Sequence, residues 1–320
     1  MNSSYYSMEK DVDNTEVVSQ LRTGLGAELN ATLDDDDCLR FLLASKSDIQ
    51  LTSKMVNEWW TWRNSALPGT HAVTPANILA WGIDMENRTD EYFAKYAPIF
   101  LGGEDKEGRP IYWGKSGVTS TNSSEIKKFV SADEFVASHV LDQEYLTARR
   151  AYLSQKHSKK ISQVFVIFDN KSLSMMPSSY IFGVLRRIVF IDDRYYPERL
   201  FKTVLINSPW FFTAVWAIVK PWLDEKTAKK VEILGNDYIG RLRELIDDSE
   251  IPEEYGGTLR EVRWEKPYSE SSGCSPAQIR EYMKANYKSA SNASEKAVPV
   301  DSPTAIEDLS PVNGADESKS

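Results

Sequence analysis

Two short apolar runs limit the folds open to this chain more than any other feature. The first, VFVIF at residues 164–168, has no polar residue on either side of a period-two pattern. The second lies within FKTVLINS at 201–208, after SSYIFGVLRRIVFIDDRYY, a stretch of helical character that Pro177 opens. A strand with one wet face alternates apolar and polar residues. A continuous run is what a strand covered on both faces requires. RPIYWGK at 109–115 reads as an earlier strand, KKVEILG at 229–235 as a later one, and DYIGRLRELI at 237–246 as a closing helix. Strands that alternate with helices at this spacing predict an α/β domain with a mainly parallel sheet and right-handed crossovers.

One helix in this series is unusual. PWFFTAVWAIVKPWLD, residues 209–224, is apolar on nearly every side through Trp210, Phe211, Phe212, Val215, Trp216, Ile218 and Val219. An all-round apolar helix must be buried or meet lipid, and about a dozen residues cannot span a bilayer, which needs roughly 20.

Residues 34–95 read as helical. Asp34, Asp35, Asp36 and Asp37 precede CLRFLLAS, where carboxylates cap a helix N-terminus and complement its dipole. A second helix begins at Asp48, with Leu51, Met55, Trp59 and Trp62 as its expected buried stripe. Residues 78–83 suggest a third.

Composition narrows the class. The 320 residues are 41% hydrophobic and 27% charged, which suits a globular protein, and a net charge of −9 argues against a dedicated nucleic-acid binder. The two cysteines, Cys38 and Cys274, stand at no metal spacing and offer no disulfide framework. MNSSYYSMEKDVDN lacks the regions of a signal peptide, so a cytoplasmic location is expected and the sequon at Asn87 is expected to be unused. The segments at 1–15 and about 268–320 are too poor in apolar residues to offset the cost of ordering. The tail is expected to be largely disordered, with a short helix possible around PAQIREYMKANY.

Catalytic constellations fail one by one. GRPIYWGKS approaches a phosphate-binding loop, but five residues separate Gly108 from Gly114 where four are needed, and the middle of it reads as strand. GLGAEL at 24–29 lacks a preceding strand and the later glycine of a dinucleotide fingerprint. There is no G-x-S-x-G elbow, and His71, His139 and His157 stand at no ligand spacing. The acid pairs Asp192-Asp193 and Asp247-Asp248 read as solvated helix ends. No enzyme and no metal site is expected.

YYPERLFKTVLINSPWFF, VKPWLDEKTAKKVEILG and IPEEYGGTL resemble the lipid-binding half of the CRAL-TRIO, or Sec-fourteen-like, lipid-transfer proteins. DDDDCLRFLLASKSDIQLTSKMVNEWWTWR resembles the helical segment that precedes it, and DKEGRPIYW the approach to its first strand. The resemblance covers about residues 34–262. It implies an N-terminal extension at 1–30, a helical segment at 31–95, a CRAL-TRIO domain at 96–266 with a large apolar lipid cavity, and a tail at 267–320. It makes residues 209–221 a mobile gate helix that closes the cavity and opens against a membrane. The implied protein is a monomer with a phospholipid ligand, no other cofactor and no nucleic acid, in transient peripheral contact with membranes.

The same resemblance implies a headgroup set. Glu198 matches a glutamate that contacts inositol hydroxyls, and Thr227 and Lys230 match a pair that holds the phosphate. A carboxylate accepts from sugar hydroxyls, and an ammonium with a hydroxyl satisfies a phosphodiester. The arginine of that set is replaced by Ser45; Lys46 adjoins it, its Cβ about 100° round the helix. The hydroxyl pair that holds a choline lipid is replaced by Val164 and Val166, which point to one face of a strand. Leu101 replaces a tyrosine of that set, whereas Tyr112 remains. Phosphatidylinositol is the expected ligand and phosphatidylcholine a poor one. The alternatives are another hydrophobic ligand, such as a sterol, isoprenoid or haem, on the same fold, or a scaffold in which lipid is structural. Lys226, Lys229 and Lys230, or Lys156, Lys159 and Lys160, are candidate membrane-docking clusters.

Overall fold

The computed structural model describes residues 14–63, 94–173, 176–262 and 264. The helix suggested at 78–83, residues 1–13, the C-terminal segment from 268, His71, Asn87 and Cys274 lie outside them.

Helices α1 (Asn14–Gly24), α2 (Ala27–Thr32), α3 (Asp35–Ala44) and α4 (Ile49–Arg63) form the N-terminal part. Asp34 caps α3, its carboxylate accepting from Asp37 N at 2.7 Å, as the aspartate run predicts. These helices share a core of Leu21, Leu25, Cys38, Phe41, Leu42, Val56 and Trp59. The predicted stripe of α4 holds at Trp59, with Met55 and Trp62 partly buried beside it, but its fully buried positions otherwise fall one residue later. Thr52, Val56, Trp59 and Arg63 are buried, whereas Leu51 is exposed. Two polar residues hold inward positions because each finds a partner there: Thr52 beside Ser45, and Arg63 on a carboxylate described below.

The remainder is a five-stranded sheet in the order β1 (Ile99–Glu104), β2 (Pro110–Gly114), β3 (Val164–Asp169), β4 (Leu200–Ile206) and β5 (Val231–Ile233). β1 pairs antiparallel with β2, and every later pair is parallel. Helices α5 (Ser116–Thr121), α6 (Ser123–Phe129) and α7 (Ala132–Lys156) connect β2 to β3. α8 (Ser179–Tyr195) connects β3 to β4, and α9 (Phe212–Val219) and α10 (Glu225–Lys229) connect β4 to β5. α11 (Ile239–Leu245) follows β5.

Alternation along the strands divides the sheet into two faces. Leu101, Tyr112, Val164 and Val166 pack toward α7 and α8, with Val140, Leu146, Val184 and Ile191. Phe100, Ile111, Trp113, Phe165, Ile167, Val204 and Ile206 pack on the other face against Leu242, Ile246, Ile251 and Tyr255. β3 is therefore covered on both sides, which is why it reads as an unbroken apolar run.

The sequence reading contains neither α1 and α2 nor any helix between β2 and β3, and it begins the sheet one strand late. β1 contains Gly102 and Gly103, the second at φ +81° beside an irregularity in the β1–β2 register, so it carries little strand signature. α7 is the longest helix described, opened by a capping box between Ser131 and Glu134, yet Asp142, Glu144, Arg149 and Arg150 lie on its buried side and blur its period.

Candidate functional site

The chain leaves α8 through Tyr196 and Pro197 and turns at Glu198, whose φ of +56° is left-handed, before entering β4. Across from this corner, Asp224 caps α10 by accepting from Lys226 N at 2.8 Å and Thr227 N at 3.1 Å. Lys230 ends that helix, donating its backbone N–H to Thr227 O at 3.0 Å and accepting from Thr203 N at 3.0 Å. The β4–β5 pairing thus fixes the Lys230 backbone beside Thr203, from which its side chain reaches Glu198. Lys230 Nζ lies 3.5 Å from Glu198 Oε2, with side chains 11% and 19% exposed, and Lys226 Nζ lies 3.9 Å from Oε1. Thr227, half-buried, stands one turn before Lys230, and its hydroxyl makes no hydrogen bond among the described residues. Glu198 and Lys230 are therefore brought together from segments far apart in the chain.

Lys46 is not brought to that pair. α3 ends at Ser45, and Lys46 and Ser47 follow in left-handed conformation, at φ +55° and +62°, so Lys46 is on an exposed turn rather than on the helix. Its side chain makes no ion pair among the described residues. Ser45 is buried, its hydroxyl donating to Leu42 O at 3.0 Å and lying 2.5 Å from Thr52 Oγ1.

Val164 and Val166 share the face that meets α7 and α8, as their spacing requires, but their surroundings differ. Val164 is 4% exposed in the core, whereas Val166 is half-buried beside Tyr112 and Thr203 in the ladder. Tyr112 Oη points to Asp142 Oδ2 at 3.5 Å, and burial together with that carboxylate pushes the phenol well above its ordinary pKa. Close by, His139 Nε2 lies 2.7 Å from Asp192 Oδ1, which also accepts from Gln143 Nε2 at 2.9 Å. Asp192 is thus engaged by α7 rather than simply solvated, a departure from the sequence reading.

The greasy helix α9 packs on this same face at its β4–β5 end. Phe212 and Val215 are buried against Leu173 and Leu205, with Phe168, Val231 and Ile233 alongside, while Phe211, Trp216 and Val219 are half-buried. Thr213, Ala214, Ala217 and Ile218 face out, and Trp210, just before the helix, is 89% exposed. The outward side of α9 is thus apolar and exposed.

The lysine clusters face carboxylates. Lys229 pairs with Glu225 and Lys226 approaches Glu198; Lys156 pairs with Glu104, Lys159 with Glu107, and Lys160 with Asp36 and Asp34. His157 lies 2.5 Å from Glu104 Oε2. Among the described residues no cluster could hold a metal ion, and no helix is long and apolar enough to cross a membrane.

Sequence reasoning missed two features. A polar cleft of about 590 Å³ lies at the C-terminal ends of β3 and β4, lined by Asp169, Asn207, Tyr238, Glu254 and Tyr255 among others, and none of the predicted residues lines it. The second is Arg199, next to Glu198, which joins Asp36 at 3.0 Å and Asp37 at 2.8 Å on α3. The aspartate run carries that signal, since four carboxylates exceed what one helix cap needs.

A profile of the CRAL/TRIO domain matches residues 94–257. The chain is 29% identical over 242 residues to the SEC14 cytosolic factor of Candida glabrata, covering 75% of this chain and 76% of that protein. It is 30% identical over 227 residues to a CRAL-TRIO domain-containing protein of Saccharomyces cerevisiae, covering 71% of each. It is 31% identical over 222 residues to the phosphatidylinositol/phosphatidylcholine transfer protein SFH12 of Arabidopsis thaliana, 69% of this chain but 39% of that longer protein. The crystal structure of Sfh5 superposes with a TM-score of 0.63 at 16% identity, over 88% of this chain and 99% of that one, which is a likeness of fold.

Proposed function

Because the chain belongs to the CRAL/TRIO family, we propose that it binds phosphatidylinositol and transfers it between membranes through a gated apolar cavity, carrying phosphatidylcholine poorly. The observation that carries this reading is the convergence of Glu198 and Lys230 at 3.5 Å, one helical turn from Thr227. The carboxylate accepts from inositol hydroxyls, and the ammonium and the threonine hydroxyl take the phosphodiester. The similarity to SFH12, a phosphatidylinositol/phosphatidylcholine transfer protein, supports lipid transfer as the activity.

The acyl chains would occupy the space over the sheet face that carries Val166, with α9 as the gate. A two-chain lipid has on the order of 30 methylenes at about 0.8 kcal/mol each, so crossing water bare would cost roughly 20–25 kcal/mol. An apolar sheath removes that cost without covalent chemistry, so the protein acts as a carrier and not as an enzyme. The exposed Trp210 and Ile218 would enter the membrane interface when the gate opens. The protein would work as a cytosolic monomer in transient contact with membranes, with residues 96–266 as the lipid-binding domain and 31–95 as its helical partner.

A choline headgroup at Val164 and Val166 would lose hydroxyl donors and leave its phosphate unsatisfied. The same two valines favour, as the second reading, a ligand with less polar surface, such as a sterol. Transfer of labelled phosphatidylinositol and phosphatidylcholine between vesicles decides between them. Phosphatidylinositol transfer by the wild type with little choline-lipid transfer is expected, and a folded wild type that moves no phosphatidylinositol overturns the proposal.

A further inference from the structure

We infer that Arg199 is a positioning residue for the headgroup carboxylate, and that the aspartates of α3 are thereby part of the lipid-recognition machinery. This rests on the headgroup reading of Glu198. A glutamate at φ +56° occupies a region that side chains with a Cβ adopt at a cost, and such a conformation persists only where its neighbours over-determine it.

The neighbours here do so. Pro197, on the N-terminal side, is buried and has a restricted φ. On the C-terminal side Arg199 is held by both backbone and side chain. Its carbonyl accepts from Val164 N at 2.8 Å. Its guanidinium donates to Asp36 Oδ2 at 3.0 Å, to Asp37 Oδ1 at 2.8 Å and to Ser162 O at 3.3 Å. The far anchor is itself braced, because Asp37 also receives Arg40 Nε at 2.9 Å. Burial pushes the Asp37 carboxyl up, but Arg40, Arg199 and Arg150 outweigh it and hold it at about 2, so the anchor stays charged across the physiological range.

Released from these bonds, the Glu198 corner is free to relax to an ordinary backbone conformation, and its carboxylate leaves the position opposite Lys230. The planar fork of arginine is what spans two carboxylates on one helix. A lysine keeps the charge but can hold only one of them well.

The test compares the full chain as wild type, Glu198→Gln, Arg199→Lys, Asp37→Asn and the Glu198→Gln/Arg199→Lys double variant. Each is offered vesicles carrying phosphatidylinositol or phosphatidylethanol with the same acyl chains. Both lipids are singly charged phosphodiesters, so their ratio isolates recognition of the inositol hydroxyls. Arg199→Lys is expected to lower the preference for phosphatidylinositol by about tenfold, as Glu198→Gln does, and the double variant by no more than either alone. Asp37→Asn, which retains the Asp36 contact, is expected to lower it less and serves if Arg199→Lys does not fold. A merely structural Arg199 would lower the melting temperature and leave the lipid ratio at the wild-type value, which overturns the inference. Multiplicative losses in the double variant overturn it as well. If the wild type shows no preference for phosphatidylinositol, the headgroup reading fails and this inference falls with it. If Glu198→Gln loses the preference while Arg199→Lys and Asp37→Asn keep it, the inference alone fails.

Discussion

Lys230 Nζ lies 3.5 Å from Glu198 Oε2, a separation at which opposite charges attract but which is looser than the ~2.7–2.9 Å of a strong charge-assisted hydrogen bond. The pair is held by the β4–β5 ladder and the α10 cap more than by its own attraction. Both side chains are mostly buried, but Lys226 Nζ remains 3.9 Å from Glu198 Oε1, so Lys230→Ala is expected to lower stability by about 1–2 kcal/mol. It is expected to abolish phosphatidylinositol transfer, because a phosphodiester then lacks its cation. Thermal unfolding and vesicle transfer, measured on the same preparation, separate the two effects.

The two valines of β3 make unequal predictions. Val166 is half-buried at the edge of the α7–α8 layer, whereas Val164 is packed beside Leu101 and Val140. Val166→Thr is expected to raise phosphatidylcholine transfer relative to phosphatidylinositol at a small cost in stability. Val164→Ser places an unpartnered hydroxyl in the core and is expected to cost on the order of 1–3 kcal/mol. Transfer ratios that respond to Val164→Ser and not to Val166→Thr would reverse the assignment of the cavity-facing position.

Arg63 at the end of α4 meets Glu144 of α7, Nη1 to Oε1 at 2.5 Å, and Tyr196 Oη donates to the same oxygen at 2.8 Å. Both charged side chains are buried, so this bridge pins the N-terminal helices to the sheet domain. Removing Arg63 takes a cation away from a buried carboxylate. Arg63→Ala is expected to lower the unfolding free energy by about 3–5 kcal/mol in urea titration, well beyond the loss from Lys230→Ala.

What the sequence made legible follows the strength of local signals. β3 announces itself because burial on both sides leaves it no polar residue, and α9 because even its exposed outward side is apolar. The α3 cap is legible because aspartate at an N-cap has a single strong reason to be there. By contrast α7 hides its period behind buried charges that are satisfied by partners far along the chain: Glu144 by Arg63 and Tyr196, and Asp142 by Tyr112. No window of the sequence contains those partners. Motif resemblance singles out Glu198, Thr227 and Lys230, and the fold brings Glu198 and Lys230 to 3.5 Å. Arg199 escaped notice because its role depends on α3 lying against the start of β4, a tertiary fact. Lys46 was misplaced on a helix because its left-handed turn has no glycine to mark it.

A final prediction concerns pH. His139 on α7 and Asp192 on α8 are 2.7 Å apart, with Gln143 on the same carboxylate oxygen. Burial alone would depress the imidazole. Asp192, by charge and hydrogen bond, and Asp142, by charge, outweigh it and raise the pKa above the usual value near 6.5. A folded pKa above the unfolded one means the native state binds more protons in the interval between them. The stabilisation is then fully present below about pH 6.5 and is lost as pH rises through the folded value, at a slope of at most about 1.4 kcal/mol per unit. The α7–α8 layer should therefore loosen above that interval. Asp192→Asn removes the larger of the two causes and leaves Asp142, so melting temperatures measured from pH 6 to 8 should fall with pH in the wild type and fall less steeply in the variant. Parallel curves for the two proteins would show that the His139–Asp192 contact does not hold α8 on α7.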